Sequence, residues 1–410
     1  MLSKEDNDLL TRTGLDTPMG NLLRRYWLPA LLSEEIPEPD CSPVQVKILG
    51  EDLIAFRDSN GRVGLLDEHC SHRGTSLYYG RNEECGLRCI YHGWKYDVDG
   101  NVLETPAEPP ESNLKNKVRH PSYPVREAAG IIYAYLGPEG KMPLFPNYEW
   151  HQVPQTHTYV TKRLMECNYL QGLEGEADSS HLSYLHRSFN PSGTHALFAH
   201  DGSPTYEIIE TDFGLMLAAI RKTEGDKRYV RVSSFVMPVF GCIPAGPRVG
   251  DRIDGYEIHM YVPVNDFVTW RYDLGFARSR PITEADIHRK KQMGPDYRGI
   301  RNIRNHYLQD RQAQRTVNFT GIEDFLNHDA CATESMGLIY DRSREHLGIS
   351  DKGAIALRKF LLNAVNNFRA GKSPPHIIND PKANNFPGIC SASVTISPET
   401  SWRDAVDAGK

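Results

Sequence analysis

At 410 residues with a formal net charge of −6, the chain is too long for one ordinary hydrophobic core and too acidic, with no basic stripe, for a nucleic-acid partner. No apolar run approaches the roughly 18 residues that span a bilayer, so no membrane partner is expected either. The N-terminus, MLSKEDNDLL, is charged and amphipathic rather than a basic segment followed by an apolar run, which predicts a cytoplasmic protein.

Residues 1–38 read as a helical arm and lead-in. Leu9, Leu10, Leu22 and Leu23 punctuate polar sequence, and Pro29, Pro37 and Pro39 end any helix before them. From about 43 to 137 the pattern is β: VQVKILG, DLIAFRD and RVGLLD read as strands, with Asn60-Gly61 as a tight two-residue connection. Asp99-Gly100 marks a second such turn, IIYAYLG at 131–137 reads as a buried closing strand, and Pro138, Pro143, Pro146 and Pro154 mark a stiff linker. Beyond it, Asn168–His186 is helical in character, and strand-like runs lie near 205–221, 228–240, 255–264 and 267–276. In the last run Trp270, Tyr272, Leu274 and Phe276 alternate with Arg271, Asp273 and Gly275, the period of a half-buried antiparallel strand. Polar helix and loop sequence fills 282–316. Ile355, Leu357, Phe360, Leu361, Ala364, Val365 and Phe368 then fall at mostly three- and four-residue steps, predicting an amphipathic helix of about four turns against that sheet.

The eight cysteines (Cys41, Cys70, Cys85, Cys89, Cys167, Cys242, Cys331 and Cys390) are spread too widely for a compact disulfide framework, which leaves metal binding, catalysis or burial. CSH at 70–72 and CIYH at 89–92 form C-x-H-x16-C-x2-H. Four such ligands in two short loops indicate zinc or a Rieske [2Fe-2S] cluster, in which two histidines replace two cysteines on one iron. A zinc finger pairs its cysteines in one loop. Here each loop offers one of each, so Cys70 and Cys89 can serve one iron and His72 and His92 the other. His69 and Cys85 lie outside the spacing.

With Arg73 after the first histidine and Gly93-Trp94 after the second, the segment resembles the Rieske domain of ring-hydroxylating oxygenases. Downstream, Asp178, His181 and His186 stand as D-x2-H-x4-H, a recipient for the cluster's electron if a further carboxylate completes a 2-His-1-carboxylate face. At about 100° per residue, His181 and His186 are about 140° apart on an ideal α-helix, so a π-bulge or helix break between Ser180 and His186 is expected.

The resemblance then extends along nearly the whole chain, to the catalytic subunit of Rieske non-haem iron oxygenases of the phthalate-dioxygenase type, a group that includes aryl-ether O-demethylases. It implies an α+β protein with an all-β Rieske domain at 39–146 and a catalytic domain at 147–410, whose curved antiparallel sheet packs on helices in a helix-grip arrangement. It implies Asp329, five residues before Glu334, as the third ligand of a mononuclear Fe(II), with Glu323 and Asp324 as alternatives. Asp178 is then a bridge between a Rieske histidine of one subunit and an iron-site histidine of its neighbour, which makes the working form a trimer or a hexamer of trimers. The implied reaction is O2-dependent oxidation of an aromatic, carboxylated substrate, with electrons from NADH through a separate flavin/iron-sulfur reductase. O-demethylation of a methoxylated aromatic acid, and electron transfer without oxygenase activity, are the competing readings. Arg221, Arg231 and Arg271 are candidates for a substrate carboxylate.

Overall fold

The computed structural model describes residues 2–191, 194–250, 252–287 and 292–407. Two helices open the chain. Lys4–Thr11 is capped by the Ser3 hydroxyl, and Pro18–Leu23 by Thr17 with Pro18 at its first turn, where a missing N–H costs nothing. The lead-in is not helical throughout: Trp27–Leu32 is a fully buried strand paired antiparallel with Ile131–Tyr135. Pro29 sits there at a bulge on the edge of a three-stranded sheet, a position that tolerates its missing donor.

The strands Val44–Ile48, Glu51–Arg57 and Val63–Asp67 form a second three-stranded sheet. The hairpin at Asn60-Gly61 forms, but as a longer turn. Only Gly61 takes a positive φ (79°), because the Asp58 carboxylate accepts the N–H groups of Asn60 and Arg62 and organises the turn instead. The turn at Gly100 (φ 80°) is built the same way, on the Asp97 carboxylate with the N–H groups of Asp99 and Asn101. A four-stranded sheet of short strands, Arg81–Glu83, Gly86–Arg88, Lys95–Tyr96 and Val102–Glu104, carries the second cysteine-histidine loop; the first follows Val63–Asp67.

The larger half is an eight-stranded antiparallel sheet. In spatial order it runs Thr158–Met165, Val268–Phe276, Tyr256–Asn265, Phe240–Ile243, Arg228–Val236, Gly214–Lys222 and Thr205–Glu210, with Ala392–Ile396 also pairing Arg228–Val236. The run expected at 205–221 is thus two strands, and Thr158–Met165 and Ala392–Ile396 are strands that periodicity did not reveal. The helix Lys352–Arg369 buries Leu357, Phe360, Leu361, Ala364 and Val365, whereas Ile355, counted on its apolar face, is exposed. Helix Tyr169–Ala177 lies against the sheet at close range. A Cβ on Gly172 would stand 2.2 Å from the Tyr261 ring, and one on Gly241 would stand 2.7 Å from the Glu176 Cβ. One apolar cluster joins Leu28, Tyr133, Tyr169, Met260 and Leu357, so the two halves share a core.

The proline-rich linker is pinned by histidines. His151 bonds the Pro146 carbonyl (3.0 Å) and the Tyr133 hydroxyl (3.2 Å), and His376 bonds the Tyr148 hydroxyl (2.8 Å). Burial pushes both imidazoles down to about 4. An unfolded histidine titrates near about 6.5, so as pH falls from there toward 4 the unfolded chain takes up protons that the folded chain refuses. Stability is therefore complete above pH 6.5 and declines toward pH 4, by up to about 1.4 kcal/mol per pH unit for each histidine. Thermal unfolding from pH 7.5 to 4.5 should show Tm falling, and His376→Gln should flatten that fall; an unchanged slope would remove His376 from the account.

Candidate functional site

The two cysteine-histidine loops are built alike. Cys70 N–H donates to Thr75 O (3.0 Å) and Gly74 N–H to Cys70 O (2.8 Å); in the second loop Cys89 N–H donates to Trp94 O (2.8 Å) and Gly93 N–H to Cys89 O (3.0 Å). Gly74 and Gly93 both hold φ at 75°, a left-handed turn that glycine adopts without strain. The loops face each other so that Cys70 and Cys89 are buried, while His72 and His92 lie half-buried with ring centroids 4.6 Å apart. Trp94 stacks on His72 at 4.8 Å, and the Tyr96 hydroxyl lies 3.0 Å from the Cys70 sulfur. Burial raises the Cys89 thiol, and the neighbouring Cys70 raises it further. His72 Nδ1 is buried and has no hydrogen-bond partner among the described residues. Two sulfurs on the inside and two imidazoles on the outside, one with an orphaned nitrogen, suit a cluster with a cysteine-held and a histidine-held iron. His69 is exposed, and Cys85 accepts a bond from Asn60 Nδ2 (3.2 Å) outside the loops.

The second centre depends on where a helix stops. Tyr169–Ala177 ends at Asp178, whose backbone is extended (φ −100°, ψ 111°). The Asp178 carboxylate accepts Ser180 N–H (2.7 Å), and a single 3-10 turn, His181–Ser183, leads to His186. This is a helix break rather than a π-bulge, and it begins ahead of Ser180. It brings the His181 and His186 rings to 5.3 Å. The third member arrives on another helix, Phe325–Glu334: Asp329 Oδ1 lies 3.0 Å from His186 Nε2, and the candidate ligand atoms of His181, His186 and Asp329 all fall within 4.8 Å of one another. Of the alternative acids, Glu323 pairs with Arg301 at the surface and Asp324 heads the helix with φ 72°; neither joins the grouping.

Polar clasps hold the two helices in register. The Gln171 amide donates to Thr333 O (2.8 Å) and Gly337 O (2.9 Å) and accepts Tyr340 N–H (2.9 Å). Asn168 caps its helix and donates to Thr11 O and Asp266 O, tying it to the N-terminal arm and the sheet.

Burial would raise the Asp178 carboxyl, but His181 and the Ser180 N–H hold it below its ordinary value. Its Oδ2 is 3.5 Å from His181 Nδ1, and the Tyr206 hydroxyl lies 3.4 Å from its Oδ1. His181 is raised because Asp178 outweighs burial, whereas burial pushes His186 down to about 4. Burial also opposes ionisation of Asp329, yet its cationic surroundings, Arg271 among them, hold its carboxyl well below the usual carboxylate range. Nitrogen lone pairs and a carboxylate converging on one small volume are suited to a divalent cation such as Fe(II).

The three arginines diverge. Arg271 is buried, bonds Asp273 at 2.8 Å, and reaches Asp329 Oδ2 at 3.7 Å. The strand expected to be half-buried is therefore covered on its polar side too, since Asp273 is also buried. That side faces the site, where His259 (raised to about 9, burial being outweighed by Glu176 and Asp273) and Glu176 complete the charge pairing. Arg221 is spent on the loop after the helix, donating to Ser179 Oγ (3.0 Å) and Asp201 O (3.0 Å). Arg231 donates to Pro244 O (3.3 Å) and, among the described residues, forms no ion pair. Sequence reasoning missed His328, whose Nδ1 lies 3.2 Å from His186 Nδ1, and the Glu176–His259 pair. The alternation Glu257, His259, Tyr261 in an otherwise apolar strand was a usable signal for the latter; nothing in the pattern singled out His328.

Among the described residues, no helix is long and apolar enough to cross a membrane. The family model described as Rieske [2Fe-2S] domain matches residues 26–124, and that described as LigXa C-terminal domain like matches 134–408. The chain is 40% identical to the phthalate 4,5-dioxygenase oxygenase subunit of Pseudomonas putida over 98% of its own length and 94% of the relative's. It is 35% identical to the 3-chlorobenzoate-3,4-dioxygenase oxygenase subunit of Comamonas testosteroni (92% of each chain). With the 5,5'-dehydrodivanillate O-demethylase oxygenase subunit of Sphingobium sp. (strain NBRC 103272 / SYK-6) the identity is 30%, over 100% of this chain and 89% of the relative. The crystal structure of dicamba monooxygenase bound to dicamba shares the fold at a TM-score of 0.61 and 17% identity, over 85% of this chain and 99% of that one. The chain therefore belongs to the Rieske non-haem iron oxygenases, as an oxygenase subunit carrying both a Rieske [2Fe-2S] domain and a catalytic domain.

Proposed function

We propose that this oxygenase subunit oxidises a carboxylated aromatic compound with O2, using electrons that a flavin/iron-sulfur reductase draws from NADH. The observation that carries the reading is the convergence of His181, His186 and Asp329 within 4.8 Å, in a chain that also holds a Rieske domain. In this reading Cys70, His72, Cys89 and His92 hold the cluster, and His181, His186 and Asp329 hold the iron. The cluster supplies single electrons, and the iron supplies O2 activation with coordination positions left open. The protein's own work is positional. Asp178 keeps Oδ2 toward His181 and leaves 28% of its side chain exposed, where a Rieske histidine of a neighbouring copy could bond it; this fits a trimer or a hexamer of trimers. Among the described residues no two of the eight cysteines form a disulfide, which fits a cytoplasmic setting.

Phthalate, chlorobenzoate and phenoxybenzoate, named in the relatives, are all aromatic carboxylates. Arg231 is our choice for that carboxylate, because Arg271 and Arg221 are already engaged. O-demethylation is the second reading, favoured by the whole-chain similarity to a demethylase subunit.

Iron analysis should give two cluster irons and one mononuclear iron per chain; cluster iron alone would favour a bare electron carrier. O2 uptake screened with phthalates, chlorobenzoates and methoxybenzoates tests the substrate class, a diol marking dioxygenation and formaldehyde marking demethylation. Asp178→Asn should keep both metal centres and lose turnover by about 10- to 100-fold; wild-type turnover would end the bridging role. Arg231→Met should raise KM for the carboxylated substrate by about 10- to 100-fold, with Arg231→Lys in between. An unchanged KM would move the carboxylate elsewhere.

A further inference from the structure

We propose that His328 is a positioning residue that selects the metal-binding tautomer of His186. The inference rests on the reading of His181, His186 and Asp329 as the iron ligands.

Proton counting carries it. His328 Nε2 lies 2.8 Å from the Ile322 carbonyl oxygen, which can only accept, so Nε2 carries the proton. With Nε2 donating to that carbonyl, Nδ1 is the ring atom of His328 left to accept, and it lies 3.2 Å from His186 Nδ1. Two nitrogens at that separation need one proton between them, and His186 must supply it. His186 Nδ1 is therefore the protonated atom, and its Nε2 carries a lone pair. That lone pair stands 3.0 Å from Asp329 Oδ1, a repulsive contact unless a cation lies against both. The relay from Ile322 O through His328 to His186 thus ends in a nitrogen that suits a metal and nothing else within reach.

The surroundings hold the rings in this arrangement. His186 and His328 are both buried, their ring planes are within 19° of parallel, and Phe325 stacks on His186 at 4.1 Å. With a leucine at 328, His186 is free to put its proton on Nε2 and donate it to Asp329, which closes the metal position with an internal hydrogen bond. Glutamine at 328 offers an amide that can donate to Ile322 O while its oxygen accepts from His186, reproducing the relay without an imidazole.

The test is anaerobic Fe(II) titration of protein whose mononuclear iron has been removed by chelation with the Rieske cluster left in place. The cluster's absorption serves as the check on the chain. His328→Leu should weaken Fe(II) binding by about 10- to 100-fold, and His328→Gln should bind within about threefold of the wild type. Wild-type affinity in His328→Leu overturns the proposal, and so does equal loss in both variants, which would assign the effect to packing. His186→Ala separates the two levels of argument: if it retains the iron, the ligand reading itself fails, whereas loss there with retention in His328→Leu fails only the role of His328.

Discussion

The end of the helix Tyr169–Ala177 is the constraint on which the catalytic half depends. A helix continued through His186 would point its two histidines about 140° apart. Extended backbone at Asp178, a turn closed by the Asp178 carboxylate on Ser180 N–H, and one 3-10 turn fold the rings back to 5.3 Å. The residue that ends the helix is also the acid beside His181, so one carboxylate both shapes the loop and orients an imidazole. Arg221 and Tyr206 brace the same loop from the sheet, through Ser179 and Ser180.

Bringing Asp329 to this loop requires burying charge, and the sheet supplies the counterweight. Leaving one partner of a buried ion pair alone costs about 3–5 kcal/mol, a large part of the 5–15 kcal/mol that holds a typical domain together. Arg271, Asp273, His259 and Glu176 therefore occur as a connected set, with Arg271 reaching Asp329. The set does more than neutralise: it holds one face of the sheet polar where the helix Tyr169–Ala177 crosses it, and Gly172 and Gly241 let that helix approach. Rigidity around His181, His186 and Asp329 and polarity behind them thus come from the same packing.

The Rieske half solves a simpler problem. Two loops with the same internal hydrogen bonds, each closed by a glycine at φ 75°, place sulfur inside and imidazole outside. Local chain geometry suffices there because each loop holds its cysteine and histidine two or three residues apart. Hence C-x-H and C-x2-H were legible from spacing alone, as were the strands Val44–Ile48, Glu51–Arg57, Val63–Asp67 and Ile131–Tyr135 and the helix over Ile355–Phe368, whereas the short strands Arg81–Glu83, Gly86–Arg88, Lys95–Tyr96 and Val102–Glu104 were not.

By itself, the sequence determined the cluster motif, the two histidines, the need for a helix break between them, and the strand-like runs of the larger sheet near 205–221, 228–240, 255–264 and 267–276. Asp329 could be named only through resemblance, since it lies 143 residues beyond His186 and no periodicity connects them. Tertiary structure alone decided which carboxylate arrives, that Arg271 is buried against it while Arg231 forms no ion pair among the described residues, and that His328 stands behind His186. The division has a physical cause. Spacing along a chain reports which side chains share a turn or a face, whereas the partner of a buried charge and the proton on an imidazole are set by groups that only folding brings within about 3 Å.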